Sequence, residues 1–188
     1  SLWLRPFPGT DSVLLGGILQ AIIEFGITDD QYVAQNAQGW DELLQSLAPF
    51  TRNAVAEETG VSEAEIEEAA RLFAQADAAS ILLGGDNSVG GTRRTTSRMA
   101  AALAVATGNV GKRGTGVMPI YHGPNEQGGW DMGVWSNSTP GHHLLNEQVA
   151  LDRLGDVWDA QLSNVAGVGN RHIFDQARDE QVKAMIVL

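Results

Sequence analysis

The chain has 188 residues, a formal net charge of −11 and no cysteine. Zero Cys excludes a disulfide, a Cys-ligated zinc and an iron–sulfur cluster within these residues. The acidic excess, with 12 scattered Lys and Arg, argues against a nucleic-acid or anionic-membrane surface, and no apolar run approaches the ~20 residues of a membrane span. The length suits one domain, or one domain with a long excursion. Ser1-Leu2-Trp3-Leu4-Arg5-Pro6 lacks the basic start and apolar core of a signal peptide, and the chain reads as an inner piece of something longer.

In chain order, Leu2-Trp3-Leu4 is expected to form a short strand that Pro6 and Pro8 stop. Val13, Leu14, Ile18, Ala21, Ile22 and Phe25 then recur at helical spacing. Asp11 or Thr10 supplies an N-cap and Gly26 a stop. Asp29 to Gln35 and Trp40 to Leu47 read as two short amphipathic helices, and Asn53 to Thr59 as a third. Ser62 and Glu65 have the spacing of a capping box, and Ile66, Ala69, Ala70 and Phe73 form the apolar stripe behind it.

Ser80 to Leu83 is short, apolar and bounded by turn residues, the pattern of a buried strand in a parallel sheet. Gly84 to Gly91 follows as a Gly-rich turn, and a helix is expected from about Thr92 to Thr107. Strand, Gly-rich turn and helix is the order of a nucleotide-binding crevice, although the spacing here is not G-x-G-x-x-G. Thr107 to Gly133, TGNVGKRGTGVMPIYHGPNEQGGWDMG, holds eight of the 22 glycines. Such density means backbone in conformations a Cβ forbids, or backbone lying close to something else. Trp135 to Leu145 reads as a loop, Gln148 to Trp158 as a helix, and Ile173 to Arg178 as a helical turn or two. Val182 to Leu188 is expected to be a last strand, parallel to Ser80–Leu83.

The hydrolytic and metal motifs are missing. There is no G-x-S-x-G. His122, His142, His143 and His172 do not have the H-x-x-x-H or H-E-x-x-H spacing of a metal site. They read as polar loop histidines, with Pro140-Gly141 fixing a turn.

Several stretches together carry a resemblance. TGNVGKRGTGV followed by NEQGGWDMG, PFPGTDSVLLGGILQAIIEFGI before them, GVSEAEIEEAARLFAQA in the middle and VKAMIVL at the end stand in this order. The order is similar to that in the large subunits of the molybdopterin oxidoreductase superfamily. That group includes formate dehydrogenases, nitrate reductases and the large iron–sulfur subunit of respiratory complex I. The resemblance covers nearly the whole chain and one inner segment of a much longer family polypeptide.

It implies an α/β fold, Rossmann-like, with a small parallel sheet flanked by helices: a single domain over 1–188 with a Gly-rich excursion over 107–145. It implies no catalytic residue and no metal ligand here, since the family's metal ligand and cluster cysteines lie upstream. What it offers is cofactor holding. Gly9, Thr10 and Asp11 match the family's P-G-T-D, whose acidic residue reads the guanine edge of a molybdopterin guanine dinucleotide. Gly85 and Asn87 match the turn after the sheet strand, and Asn125, Gln127 and Gly128 match N-x-Q-G. For Asn125 and Gln127 the plain alternative is hydrogen bonding that only folds the loop.

Relatives that bind the cofactor carry Arg immediately before P-G-T-D, where this chain has Phe7, with Arg5 two residues earlier. Together with the acidic charge this favours the complex I (NADH-quinone oxidoreductase) subunit, a scaffold in respiratory electron transfer, over a molybdenum or tungsten formate dehydrogenase or nitrate reductase. A non-catalytic interaction domain is a further alternative. The expected partners are the remainder of the parent large subunit and other subunits of a respiratory complex. Neither nucleic acid nor direct membrane insertion is expected. The expected location is cytoplasmic, peripheral to the inner membrane through those partner subunits. Iron–sulfur clusters are expected in the parent outside this segment.

Overall fold

A computed structural model describes residues 1–84, 93–120, 125–167 and 170–186. The chain divides into two compact units, Ser1–His122 and Gly123–Leu188.

The first unit is built on helix α1 (Asp11–Glu24), which packs against α4 (Arg52–Thr59), α5 (Glu63–Ala74) and α6 (Arg93–Ala106). Leu19, Ala21 and Ile22 of α1 are fully buried, in one cluster with Leu47, Val55, Ile66, Ala70 and Leu103. Burying each of the larger of these side chains contributes about 1.5–3 kcal/mol. α1 carries Gly16-Gly17 because its neighbours come very close. A Cβ at Gly16 would meet the Phe50 ring at 2.5 Å, and one at Gly17 would meet Val55 Cγ1 at 2.6 Å.

The remaining helices start where local caps put them. Asp29 accepts from the Tyr32 N–H at 2.9 Å and opens α2 (Asp30–Asn36). α3 (Trp40–Leu47) begins after Gly39 in the left-handed region. Thr51 caps α4, and the reciprocal Ser62–Glu65 capping box opens α5. Arg52 links α4 to α1 and α5 through Glu24 and Glu67.

The sheet has two parallel strands, β1 (Ser80–Leu83) and β2 (Gly116–Pro119), in the register Ser80↔Gly116 to Leu83↔Pro119. α6 is the crossover between them. Asn109 fastens the end of that crossover to the start of the sheet. It is buried, its Oδ1 accepts from the Ala79 N–H at 2.9 Å, and its Nδ2 donates to Thr107 Oγ1 at 2.9 Å.

The α/β class with a small parallel sheet flanked by helices is therefore present, but its strands differ from expectation. The partner of β1 is Gly116–Pro119, inside the Gly-rich stretch. Val182–Ile186, the described part of the expected last strand, is assigned no strand, and neither is Leu2–Leu4.

The second unit contains α7 (Glu126–Asp131), a 3-10 turn at Pro140–His142, α8 (Gln148–Trp158) and α9 (Asn170–Arg178). An antiparallel bridge joins Ser138 to Leu144 around that turn. Among the described residues of this unit only Thr139 and Leu151 are buried.

Candidate functional site

The P-G-T-D turn precedes α1. Thr10 donates to the Phe7 carbonyl twice, from its N–H at 3.1 Å and from its hydroxyl at 2.7 Å. Thr10 holds the N-cap position, yet its side chain makes no cap bond, because the hydroxyl is spent on closing the turn. The Phe7 N–H donates to the Thr59 carbonyl at 2.9 Å. The Phe7 ring also lies where a Cβ on Gly60 would be, so this residue anchors the turn to the end of α4. Gly9 has φ +89°, and a Cβ there would meet nothing within 4 Å. The backbone therefore requires glycine while the space beside it stays open. Asp11 is the first residue of α1, half-buried, and its carboxylate has no hydrogen-bond or ion-pair partner among the described residues. It stands at the positive end of a 14-residue helix, where free N–H groups favour an anion or an acceptor.

In the second unit the start of α7 gathers Asn125, Gln127 and Gly128. Asn125 is the N-cap residue with φ +64°, and its side chain makes no cap bond. Its amide lies over Gly128, where a Cβ would collide with it; that close approach is the physical reason for glycine at 128. Gln127 Nε2 donates to Asp131 Oδ1 at 2.9 Å. The same oxygen accepts from His142 Nε2 at 2.7 Å. The hydrogen bond from His142, and then that from Gln127, holds the Asp131 carboxyl below its usual range. His143 turns the other way: its Nδ1 is 2.9 Å from Glu147 Oε2. The Leu144 N–H and then His143 lower the Glu147 carboxyl in the same manner. Adjacent histidines thus pin one turn to α7 on one side and to the N-cap of α8 on the other.

Gly85, Asn87 and His122 lie outside the described residues. The sequence reading gave Asp131 no role and took His142 for a polar loop histidine, yet the two together organise the Asn125–Gly128 region. Their contact spans 11 residues of irregular chain, and no local pattern announces it. Beside it, Trp130 and Trp135 meet edge to face with ring centroids 5.2 Å apart. They line a cavity of about 290 Å³ together with Asn137, Ser138, His142 and Leu144. Larger hollows of about 830 and 540 Å³ lie along α8 and touch none of the expected site residues. No group of three His, Asp or Glu suited to a metal ion occurs among the described residues. Nor is any described helix long and apolar enough to cross a membrane.

No protein-family model matches the chain. It is 34% identical over 190 residues to a formate dehydrogenase alpha subunit of Methanococcus maripaludis, a match covering 100% of this chain and 27% of that protein. It is 31% identical to the probable oxidoreductase YjgC of Bacillus subtilis, covering 99% of this chain and 19% of the relative. Formate dehydrogenase H of Escherichia coli is 33% identical over 153 residues, covering 81% of this chain and 21% of that enzyme.

These relatives support the molybdopterin oxidoreductase superfamily. The solved structure of acetylene hydratase from Pelobacter acetylenicus agrees, with a TM-score of 0.56 and 28% identity over 61% of this chain and 16% of that one. The chain thus spans between 19% and 27% of the length of these curated relatives. Several relatives are named as alpha subunits.

Proposed function

We propose that this chain is a cofactor-holding segment in the large subunit of a formate-dehydrogenase-type molybdopterin oxidoreductase. The observation that carries this reading is the 34% identity to a formate dehydrogenase alpha subunit across 100% of the chain. In this reading Asp11 binds the guanine end of the dinucleotide. Guanine presents two donors on one edge, N1–H and the 2-amino group, and a carboxylate accepts both. What supports the fit is the Asp11 carboxylate, without a partner among the described residues, its place at the start of α1 and the open space beside Gly9. Asn125 and Gly128 would approach the pterin or its phosphates, whereas Gln127 would first have to leave Asp131. Gly85 and Asn87 would act from the turn after β1. Bound there, the cofactor would supply metal-centred two-electron chemistry, and the chain's own residues hold it without taking part in proton transfer.

The runner-up is the large iron–sulfur subunit of NADH-quinone oxidoreductase. Phe7 favours it, standing where the resemblance expects a cation beside the phosphates, as does the net charge of −11. The relatives' names move the weight to the formate dehydrogenase reading. Elemental mass spectrometry of the intact parent polypeptide separates the two. About one molybdenum or tungsten per chain, with formate-dependent dye reduction, is expected. A metal-free chain in a larger NADH-oxidising complex would reverse the order. A second readout is the guanine nucleotide released from the protein by acid. Replacing Asp11 by Ala removes two charge-assisted bonds of about 1.5–3 kcal/mol each and should lower that yield at least tenfold.

A further inference from the structure

The hollow of about 540 Å³ lies between α8 and the turn that leads into it. Pro140 of that turn and Val149, Ala150 and Leu154 of α8 line it, so its walls are largely apolar. Residues 149–150 and 153–154 stand one helical turn apart and share one side of α8. Arg153 belongs to that row and lines the same hollow. The volume and the walls are those of a small-molecule site, in which a few polar groups orient an apolar body.

Glu147 and Arg153 bring the charge, and only Glu147 is engaged. Its Oε2 is 2.9 Å from His143 Nδ1, and its Oε1 accepts from the Leu144 N–H at 2.9 Å. His143, with its Nδ1–H directed at that carboxylate, presents an acceptor at Nε2 in its neutral form. Gln148, also in the lining, turns its amide to Asp152 Oδ1 at 2.7 Å. Arg153 has no hydrogen-bond or ion-pair partner among the described residues. A guanidinium has donors only, set in a planar fork that one carboxylate matches. A doubly charged phosphate would leave a charge unmatched beside Glu147. A peptide would bring backbone amides against apolar walls that supply them no partner. We propose that this hollow binds a small amphipathic monocarboxylate, its apolar body against Pro140, Val149 and Leu154 and its carboxylate on the Arg153 guanidinium. This goes beyond the cofactor reading and stands whether or not the chain holds a dinucleotide.

The test uses the full-length polypeptide and decanoate carrying a mid-chain diazirine. Irradiation should label the peptide containing residues 140–154. Unlabelled decanoate should compete at least tenfold better than decanol, and decylammonium should compete worse than either. Arg153→Gln should lower the labelling at least tenfold, and Arg153→Lys, which keeps the charge, should restore part of it. Because Arg153 holds nothing else in place, neither variant should shift Tm. Absence of label in 140–154, as when another segment of the parent or a partner's peptide fills the hollow, overturns the proposal. Equal competition by the acid, the alcohol and the amine also overturns it, since the hollow would then select for apolarity alone. Unchanged labelling in Arg153→Gln does the same for the role of the guanidinium.

Discussion

The two units are held together by different means. In Ser1–His122 apolar side chains from α1, α4, α5 and α6 meet in one cluster, and α2, α4 and α5 start at satisfied side-chain caps. In Gly123–Leu188 two described residues are buried, while Met132, Val134, Val149, Val157 and Ile186 are all exposed. That unit is held by point contacts: Asp131 with Gln127 and His142, Glu147 with His143 and the Leu144 N–H, and the Trp130–Trp135 pair. The first unit buries a continuous apolar cluster of its own, although Leu82, Met118 and Ile120 of its sheet stay exposed. The second leaves much of its apolar surface exposed.

Core truncation should separate the units most sharply. Ile22→Ala empties a fully buried site and is expected to cost about 2–5 kcal/mol, whereas Val149→Ala, 70% exposed, should stay within about 0.5 kcal/mol in this chain. Urea unfolding of both variants checks this. A Val149 cost above about 1.5 kcal/mol in the parent polypeptide would mean its helix face is covered there. Next in size is Asn109→Ala, which strands the Ala79 N–H in a part-buried place and should cost about 1–3 kcal/mol. Its signature is faster amide exchange at Ala79 with α1 unaffected. Ser62→Ala removes half of the α5 capping box and is expected to cost about 1 kcal/mol, read as a drop in Tm; no change would show that the α5 cap is dispensable.

The smallest effect is a pH dependence confined to the second unit's turn. Asp131 and Glu147 have folded-state pKa values below their ordinary 3.8 and 4.5. Their contribution is therefore fully present above those ordinary values and is lost as pH falls through the lowered folded ones. The protection of the Leu144 amide relative to its intrinsic exchange rate, which rests on its bond to Glu147, should fall as pH drops through the lowered Glu147 value, while amides within α1 stay protected. A flat profile for Leu144 would mean that the Glu147 contact does not hold the turn.

What was legible in the sequence was local. The Ser62–Glu65 spacing announces α5, and Asp29 announces α2, because a cap and its partner lie three residues apart. The strand Ser80–Leu83 was legible from its apolar run. Its partner was not. Gly116-Val117-Met118-Pro119 is four residues ending in Pro and set among glycines, and strand pairing across 36 residues leaves no local trace. Val182–Leu188 had the better composition for a strand, yet its described part pairs with nothing. The same limit governs the candidate sites. P-G-T-D shows itself as a helix start, but that Gln127 turns to Asp131 depends on local rotamers. That Asp131 also holds His142 depends on the path of the intervening loop.

The β1–β2 pairing has a consequence in time. Ser80 and Gly116 are partners 36 residues apart, and synthesis proceeds at about 5–20 residues per second. β1 therefore emerges roughly 2–7 s before the strand that pairs with it, long after α1 and α5 have had the microseconds a helix needs. Throughout that interval Ile81, Leu82 and Leu83 lack their strand partner, while α6, which completes the core with Leu103 and Ala106, is itself still being made.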